Sequence, residues 1–428
     1  MQPATPINPK RRRLLRGLGA ASLLGLSPQA RSTKATPSVV VVGGGFAGAT
    51  CARALKRLMP ALQVTVVEPR PWFFTGPMSN AVIGGQLDAD AIRFDNHALA
   101  RLGIAWRPQR VVALDGASRS LQLADGSTLT ADLLVLAPGI ALTWGALHDA
   151  SAKAQARCPS AWLGDAEVIE LRDRVAQLDD GAHVIISAPA LPYRCPPGPY
   201  ERAAMMAYAA HRRGKRIRIT VLDSKDDFSK RSAFIDGWAR HYPGVIEWVP
   251  RAHGGQVTGF ARNGHAVVTA DGETISADLI NVIPPQQAPE WLQTAGLCDE
   301  QGWCPVDAFS FASRRAANTY VIGDAASTAP VPKSAFAAQA QAELCALAIH
   351  ARLLGLKPAE HLMLNTCYSL LHDTQAISVA ASFVATEQGF ERLSEGASTP
   401  GLPPAIGARE AADAMAWYRR ATLRAFGG

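Results

Sequence analysis

An α/β architecture, two parallel-sheet units followed by a C-terminal interface domain, is predicted by three stretches of this 428-residue chain. The apolar, β-branched run Ser38-Val39-Val40-Val41-Val42 stops at Gly43-Gly44-Gly45 and gives way to Ala49, Ala52 and Leu55 at helical spacing. That is the pattern of a strand, a tight turn and a helix. Far downstream, His183-Val184-Ile185-Ile186-Ser187 and Ile217-Arg218-Ile219-Thr220-Val221-Leu222-Asp223 bracket a helical stretch from Glu201 to His211, a second strand, helix, strand unit. Between and beyond them, the apolar strands Leu133–Leu136 and Thr319–Ile322 each run into a glycine-bearing turn.

The first unit carries the most specific signal. Gly43, Gly45 and Gly48 fill a G-x-G-x-x-G frame, with Phe46 and Ala47 between the last two. The first glycine allows the turn, the second lets backbone N–H groups approach a pyrophosphate, and the third lets the helix pack closely on the strand. A pyrophosphate then meets the positive end of the helix. The next apolar run, Val64-Thr65-Val66-Val67, ends in Glu68, 20 residues beyond Gly48. This is the expected distance to an acid that holds a ribose hydroxyl. A Rossmann-like dinucleotide site is expected here.

The chain begins differently. Residues 1–35 hold Lys10, Arg11, Arg12, Arg13, Arg16, Arg31 and Lys34 and no acid, with an apolar segment from Leu14 to Leu26. This resembles a twin-arginine export signal, with cleavage between Ala30 and Ala35 and a periplasmic destination. A basic arm for nucleic acid would lack the apolar run. The whole chain has 43 basic and 36 acidic residues, and the leader holds seven of the basic ones, so the remainder is neutral. A general basic surface for nucleic acid is thereby excluded. No later stretch reaches the roughly 18 apolar residues of a membrane span.

Ala124-Asp125-Gly126-Ser127, between Leu121-Gln122-Leu123 and Leu129-Thr130-Ala131, reads as a β-hairpin. Leu133-Leu134-Val135-Leu136-Ala137-Pro138-Gly139 then resembles the strand that, in two-dinucleotide-domain flavoproteins, returns the chain beneath the flavin. Thr319-Tyr320-Val321-Ile322-Gly323-Asp324-Ala325-Ala326 resembles a second such motif, in which the carboxylate bonds the ribityl chain. The helix after it, from about Lys333, would direct its positive end at the isoalloxazine. Three motifs in this order imply FAD. The candidate cofactor residues are Gly43, Gly45, Phe46, Ala47, Gly48, Glu68, Ala137, Gly139, Gly323, Asp324 and Lys333.

The expected organisation is a leader (1–35), a first part of the FAD domain (36–150), a second Rossmann-like domain (151–275), the second part of the FAD domain (276–355) and the interface domain (356–428). The second unit lacks a glycine turn. Its first strand ends in Ala188-Pro189-Ala190-Leu191-Pro192-Tyr193-Arg194-Cys195-Pro196-Pro197-Gly198-Pro199-Tyr200. Prolines lack the N–H donors a pyrophosphate needs, so pyridine nucleotide is rejected as electron donor.

Seven cysteines occur. Cys51 and Cys345 read as small core residues in Ala-rich helices, and Cys158, Cys298 and Cys304 lie near turns. Cys195 sits in the proline loop just before a helix N-terminus, where a thiolate is stabilised. Cys367 opens a short apolar segment. From the residues alone, Cys195 and Cys367 are a structural disulfide, two free thiols or a redox pair, since pairing does not follow from spacing. Glu201 reads as a capping or surface residue.

Four unusual segments then carry a resemblance that covers the mature chain: Arg194-Cys195-Pro196-Pro197-Gly198-Pro199-Tyr200-Glu201-Arg202, Ile283-Pro284-Pro285-Gln286, Gly302-Trp303-Cys304-Pro305-Val306-Asp307 and Leu364-Asn365-Thr366-Cys367-Tyr368-Ser369. They resemble the flavoprotein subunits of flavocytochrome c sulfide dehydrogenases, relatives of sulfide:quinone oxidoreductases. The resemblance implies that Cys195 and Cys367 form a redox disulfide beside the flavin and that hydrosulfide is the substrate. Cys304 matches a family cysteine without an assigned redox role. It also implies a separate c-type cytochrome as electron acceptor, and the chain itself has no Cys-x-x-Cys-His for a haem. Family members that tether FAD do so through a cysteine where this chain has Gly76, so FAD is expected without a covalent bond. Two other readings stand beside this one, a quinone as acceptor and an accessory redox partner of a periplasmic sulfur carrier. The segment Ala408–Phe426 is expected to pack or meet a partner rather than anchor to a membrane.

Overall fold

The computed structural model describes residues 37–427, and the leader lies outside them. The fold is α/β, as expected. Its first sheet is five-stranded and parallel, in the order Thr319–Val321, Leu133–Leu136, Ser38–Val42, Gln63–Val67, Ala105–Arg107. Val39 to Val42 and Leu133 to Leu136 are buried throughout, as a strand covered on both faces requires. The helices Phe46–Leu58 and Ala335–Leu353 pack against each other. Ala49, Cys51, Ala52, Ala342, Cys345 and Ala346 are fully buried on them. Cys51 and Cys345 therefore serve as small packing residues.

The pairing of this sheet decides where the cofactor motifs meet. Val42 lies beside Val67 and Leu136, and Leu136 lies beside Val321. Gly43, Glu68, Ala137 and Gly323 thus leave the carboxyl ends of adjacent strands, the place where doubly wound sheets bind ligands. Sequence positions 43 and 323 become neighbours because the chain inserts a whole second unit between two strands of one sheet.

That unit is a four-stranded parallel sheet, Ile246–Val249, Arg218–Asp223, His183–Ala188, Leu279–Val282. Leu279–Val282 pairs with His183–Ala188, which carries the second unit past the expected junction at 275. The helix after the proline loop spans Gly198–His211, three residues longer at its start than its apolar pattern suggests. Pro199 sits in the first turn, where its missing N–H costs nothing. The predicted hairpin forms from Ser120–Leu123 and Thr128–Thr130.

The C-terminal region is a three-stranded antiparallel sheet, Leu362–His372, Gln375–Thr386 and Gly389–Ala397, followed by the helix Pro404–Phe426. Gly407, Ala411, Ala414, Tyr418, Ala421 and Ala425 form its buried stripe, which packs on the second strand of that sheet and on the helix Phe46–Leu58. Phe426 ends the helix against the rings of Phe46, Phe73 and Phe94. The buried stripe is packed against protein, while Ile406 and Leu423 stay exposed and Trp417 turns to the cleft where the cofactor motifs meet.

Candidate active site

Glycine is required at two points of the first turn for different reasons. Gly43 has φ +101°, and a Cβ there would lie 2.2 Å from the Ala137 carbonyl oxygen. At Gly48 a Cβ would lie 1.9 Å from the Gly43 carbonyl oxygen, so this residue seats the helix on the turn and does not line the cleft. Gly45 has no protein atom within 4 Å of a Cβ position and faces open space. A backbone left bare toward a cleft at a helix N-terminus is an anion site. Phe46, Ala47, Ala137, Gly139 and Gly323 line the same cleft.

Glu68 is buried at the end of its strand and lines the cleft. Burial alone raises its pKa, but the Arg70 side chain at 2.9 Å and the Gly44 N–H at 3.0 Å outweigh this and hold the carboxyl below its usual range. It is a carboxylate, ready to accept from a ribose hydroxyl. Asp324 has one oxygen bonded to Arg194 Nε at 2.7 Å. Its other oxygen, Oδ1, is buried with no partner. Such an atom costs about 1–3 kcal/mol unless a ligand donates to it, and a ribityl hydroxyl is a donor of that kind. The cleft also receives the N-terminus of Ala335–Leu353, capped by Ser334, whose hydroxyl accepts from Ala337 N–H at 3.0 Å. These features fit FAD. The site residues would hold its pyrophosphate at Gly45, a ribose at Glu68 and the ribityl chain at Asp324.

Lys333 takes a different place from the expected one. It does not line the cleft. Its amino group donates to the carbonyls of Asp324 and Ala326 at 2.7 and 2.8 Å and lies 3.6 Å from the centre of the Trp303 ring. Burial lowers its pKa to about 8. The start of the helix, Ser334 to Phe336, lines the cleft in its place, and Lys333 braces the turn beside it.

Cys195 and Cys367, 172 residues apart, both line this cleft. Cys195 has φ +56°, a conformation that side chains adopt at a cost. Its N–H donates to the Lys333 carbonyl and its own carbonyl accepts from Gly198 N–H, each at 2.8 Å. Gly198 leaves room for the sulfur, since a Cβ there would sit 3.1 Å from Cys195 Sγ. Cys367 lies mid-strand, where Asn365 Nδ2 donates to its sulfur at 3.5 Å. Asn365 Oδ1 accepts from the Ser334 hydroxyl at 2.6 Å, which ties Cys367 to the helix cap.

The expected thiolate stabilisation at Cys195 is reversed. Burial, then the Glu201 carboxylate, push its thiol well above the ordinary value, against the opposing charges of Lys230 and Arg202. Glu201 itself is no surface cap. It lines the cleft and accepts from Asn80 Nδ2 and from Leu370 N–H, each at 2.8 Å. Burial raises its pKa. Opposite in sign is Lys230, buried, with φ +64°. Its amino group donates to the Cys367 carbonyl at 3.1 Å and the Ser369 hydroxyl at 2.8 Å. Burial lowers its pKa to about 8, while the Cys367, Glu201 and Cys195 charges oppose that. An acid and a base of perturbed affinity thus flank the two sulfurs, a pattern of functional sites.

At the end of Arg218–Asp223, where a nicotinamide cofactor would meet an acid, Asp223 is already used. Tyr200 Oη, Trp248 Nε1 and Lys225 Nζ donate to it at 2.5, 2.9 and 2.6 Å. Sequence reasoning missed Arg194, Lys230 and the fully buried Arg202, which bonds Asn80, Ser160, Ala161 and Asn281 beneath the cleft. Arg194 and Arg202 were visible as the charged ends of the proline segment; Lys230 had no sequence signal.

A two-unit dinucleotide fold with two cysteines lining its cofactor cleft is a flavoprotein oxidoreductase of the disulfide-reductase type. Residues 37–174 match the pyridine nucleotide-disulphide oxidoreductase family. Residues 168–284 match the central region of the sulfide dehydrogenase [flavocytochrome c] flavoprotein chain, and 359–423 match the flavocytochrome c sulphide dehydrogenase flavin-binding region. The chain belongs to the family of flavocytochrome c sulfide dehydrogenase flavoprotein chains, and its cofactor is FAD. It is 57% identical over 47 residues to the flavoprotein chain of that enzyme from Chlorobaculum thiosulfatiphilum, covering 11% of this chain and 98% of the relative. It is 23% identical over 317 residues to the mitochondrial sulfide:quinone oxidoreductase of Mus musculus, covering 71% and 68%. In fold it is similar to the sulfide:quinone oxidoreductase of Aquifex aeolicus, with TM-score 0.72 at 19% identity over 92% and 93% of the two chains.

Proposed function

We propose that this protein oxidises hydrosulfide to sulfane sulfur through a Cys195–Cys367 disulfide and FAD, and passes the electrons to a separate c-type cytochrome. The observation that carries this reading is that Cys195 and Cys367 both line the FAD cleft, with Glu201 in the same lining and Lys230 bonded to the Cys367 carbonyl. Hydrosulfide attacks one sulfur of the disulfide, forming a persulfide on that cysteine and releasing the other as a thiolate. The Lys230 ammonium favours the anions at this point, and the raised Glu201 carboxyl is placed to exchange the proton. The strained Cys195 backbone, held at both its N–H and its carbonyl, keeps its sulfur oriented toward the cleft through the exchange. A second hydrosulfide takes the sulfane sulfur from the persulfide and leaves as a hydrodisulfide, freeing that cysteine as a thiolate. FAD, when bound, would supply the acceptor for the two electrons given up as the two thiolates re-form the disulfide.

The cytochrome acceptor is supported by the family of the chain. Among the described residues no helix is long and apolar enough to cross a membrane. A periplasmic site of action rests on the twin-arginine-like residues 11–16, outside the described residues. Similarity to sulfide:quinone oxidoreductases over most of the chain favours a quinone as the second reading of the acceptor.

The test is an anaerobic titration of the purified flavoprotein with sulfide, in wild type and Cys195→Ser. Flavin bleaching in wild type alone supports the relay, and equal bleaching in both removes Cys195 from it. Addition of a c-type cytochrome or of a quinone analogue to the reduced protein then separates the acceptors by which one restores the flavin spectrum.

A further inference from the structure

A second pair of thiols lies outside the cleft. Cys298 and Cys304 bring their sulfurs to 3.4 Å, and neither lines the cofactor cleft. The approach is built into the chain between them. Asp299 N–H donates to the Trp303 carbonyl at 2.7 Å, and the Asp299 carboxylate accepts from the Gln301 and Trp303 N–H groups at 3.0 Å each. The turn from 299 to 303 is therefore closed by its own hydrogen bonds, and the residues flanking it must face each other. Cys304 is fully buried and Cys298 is half-buried, so one sulfur of the pair is open to a reagent.

We propose that Cys298 and Cys304 form a second dithiol–disulfide couple, independent of Cys195 and Cys367, whose oxidised form locks the 299–303 turn. The oxidant is a low-molecular-mass or protein disulfide. Cys298 attacks one of its sulfurs as a thiolate and releases one thiolate. Cys304 loses its proton and attacks the Cys298 sulfur of the mixed disulfide, releasing the second. Two electrons and two protons pass from the cysteines to the incoming disulfide, which leaves as two thiols. The order follows from exposure, Cys298 being half-buried and Cys304 fully buried, and the contact between the two sulfurs lowers the pKa of Cys298 while that contact and burial raise that of Cys304.

The turn bears on the catalytic loop through two short routes. The Trp303 ring faces the Lys333 amino group, and the Lys333 carbonyl holds the Cys195 N–H. The Gly302 carbonyl accepts from Ala288 N–H, two residues from Gln286, whose Oε1 accepts from Arg194 N–H at 2.9 Å. The couple does not depend on sulfide being the substrate.

The holoprotein is equilibrated in buffers of oxidised and reduced glutathione, alkylated, and cleaved after glutamate. Glu300 is exposed and lies between the two cysteines, so cleavage there leaves peptides joined only by the disulfide. The expected result is a Cys298–Cys304 linked pair in the oxidising buffer, lost in the reducing buffer and absent in Cys298→Ser. Alkylation of both thiols in the oxidising buffer, a persistent glutathione adduct on Cys298, or linkage of either cysteine to Cys195 or Cys367 would overturn the proposal. The wild-type mapping decides the matter even if the variant fails to fold.

Discussion

Arg194 and Asp324, 130 residues apart, close a 2.7 Å ion pair between the Cys195 loop and the Gly323-Asp324 turn. The pair fixes the orientation of the Asp324 carboxylate and leaves Oδ1 for the cofactor. Arg194→Ala frees that carboxylate to rotate and removes a partner from a mostly buried charge. The cost is about 1–3 kcal/mol, so the FAD dissociation constant should rise roughly fivefold to 150-fold. Fluorescence titration of the apoprotein with FAD measures it, and an unchanged constant would show that Arg194 does not orient Asp324.

Gly45→Ala and Gly48→Ala should fail in different ways. The Gly45 side chain would enter only the open cleft, so this variant should melt as the wild-type apoprotein does yet bind FAD poorly. The Gly48 side chain would strike the Gly43 carbonyl and force the helix off the turn, with a loss of about 1–3 kcal/mol in the apoprotein itself. Thermal melts with and without FAD separate the two.

The Cys195 thiol should respond with opposite signs to its two charged neighbours. Glu201→Gln removes a negative charge that raises the Cys195 pKa, and Lys230→Met removes a positive charge that lowers it. In the reduced protein, the pH midpoint for alkylation of Cys195 should fall in the first variant and climb in the second. Movement of both in one direction would mean that repacking, not charge, dominates.

Lys230 also predicts a slope in stability. Its folded pKa of about 8 lies below the ordinary 10.5, so between these values the unfolded chain binds more protons than the folded one. Stability contributed by this group is lowest below pH 8 and rises as pH climbs toward 10.5. Urea unfolding at saturating FAD should show a smaller rise across that window in Lys230→Met than in wild type; an equal rise would assign the titration elsewhere.

Gly76 lines the cleft, and no protein atom lies within 4 Å of a Cβ position there. With no side chain to form a thioether, all flavin should be released on acid precipitation of the wild-type protein. A flavin-sized mass on the denatured chain would contradict this.

Local chemistry made much of the fold legible. The glycine turn, the acid at 68 and the strands ending at Leu136 and Val321 follow from short-range rules of periodicity and backbone sterics, which do not need the rest of the chain. Lys333 misled because a lysine before a helix is locally indistinguishable whether it meets a ligand or a carbonyl. Cys195 misled because the helix end is visible in sequence whereas burial and the Glu201 charge are not. Lys230 lies in the charge-rich stretch Asp226–Arg231, which reads as solvated surface, and its left-handed backbone turns it inward instead.

The sequence by itself therefore determined the α/β class, the FAD turn and the identity of the unusual cysteine-bearing segments, because each is written in contiguous residues. Only the tertiary structure decided that Cys195, Cys367 and Glu201 share one cleft, that Lys230 bonds the backbone of Cys367 behind it, that Arg194 reaches Asp324, and that Cys298 faces Cys304. Those relationships depend on inserting one parallel sheet between two strands of another and on folding the C-terminal strand over both. Pairings of that range are set by the burial of whole faces, and no local window of sequence contains them.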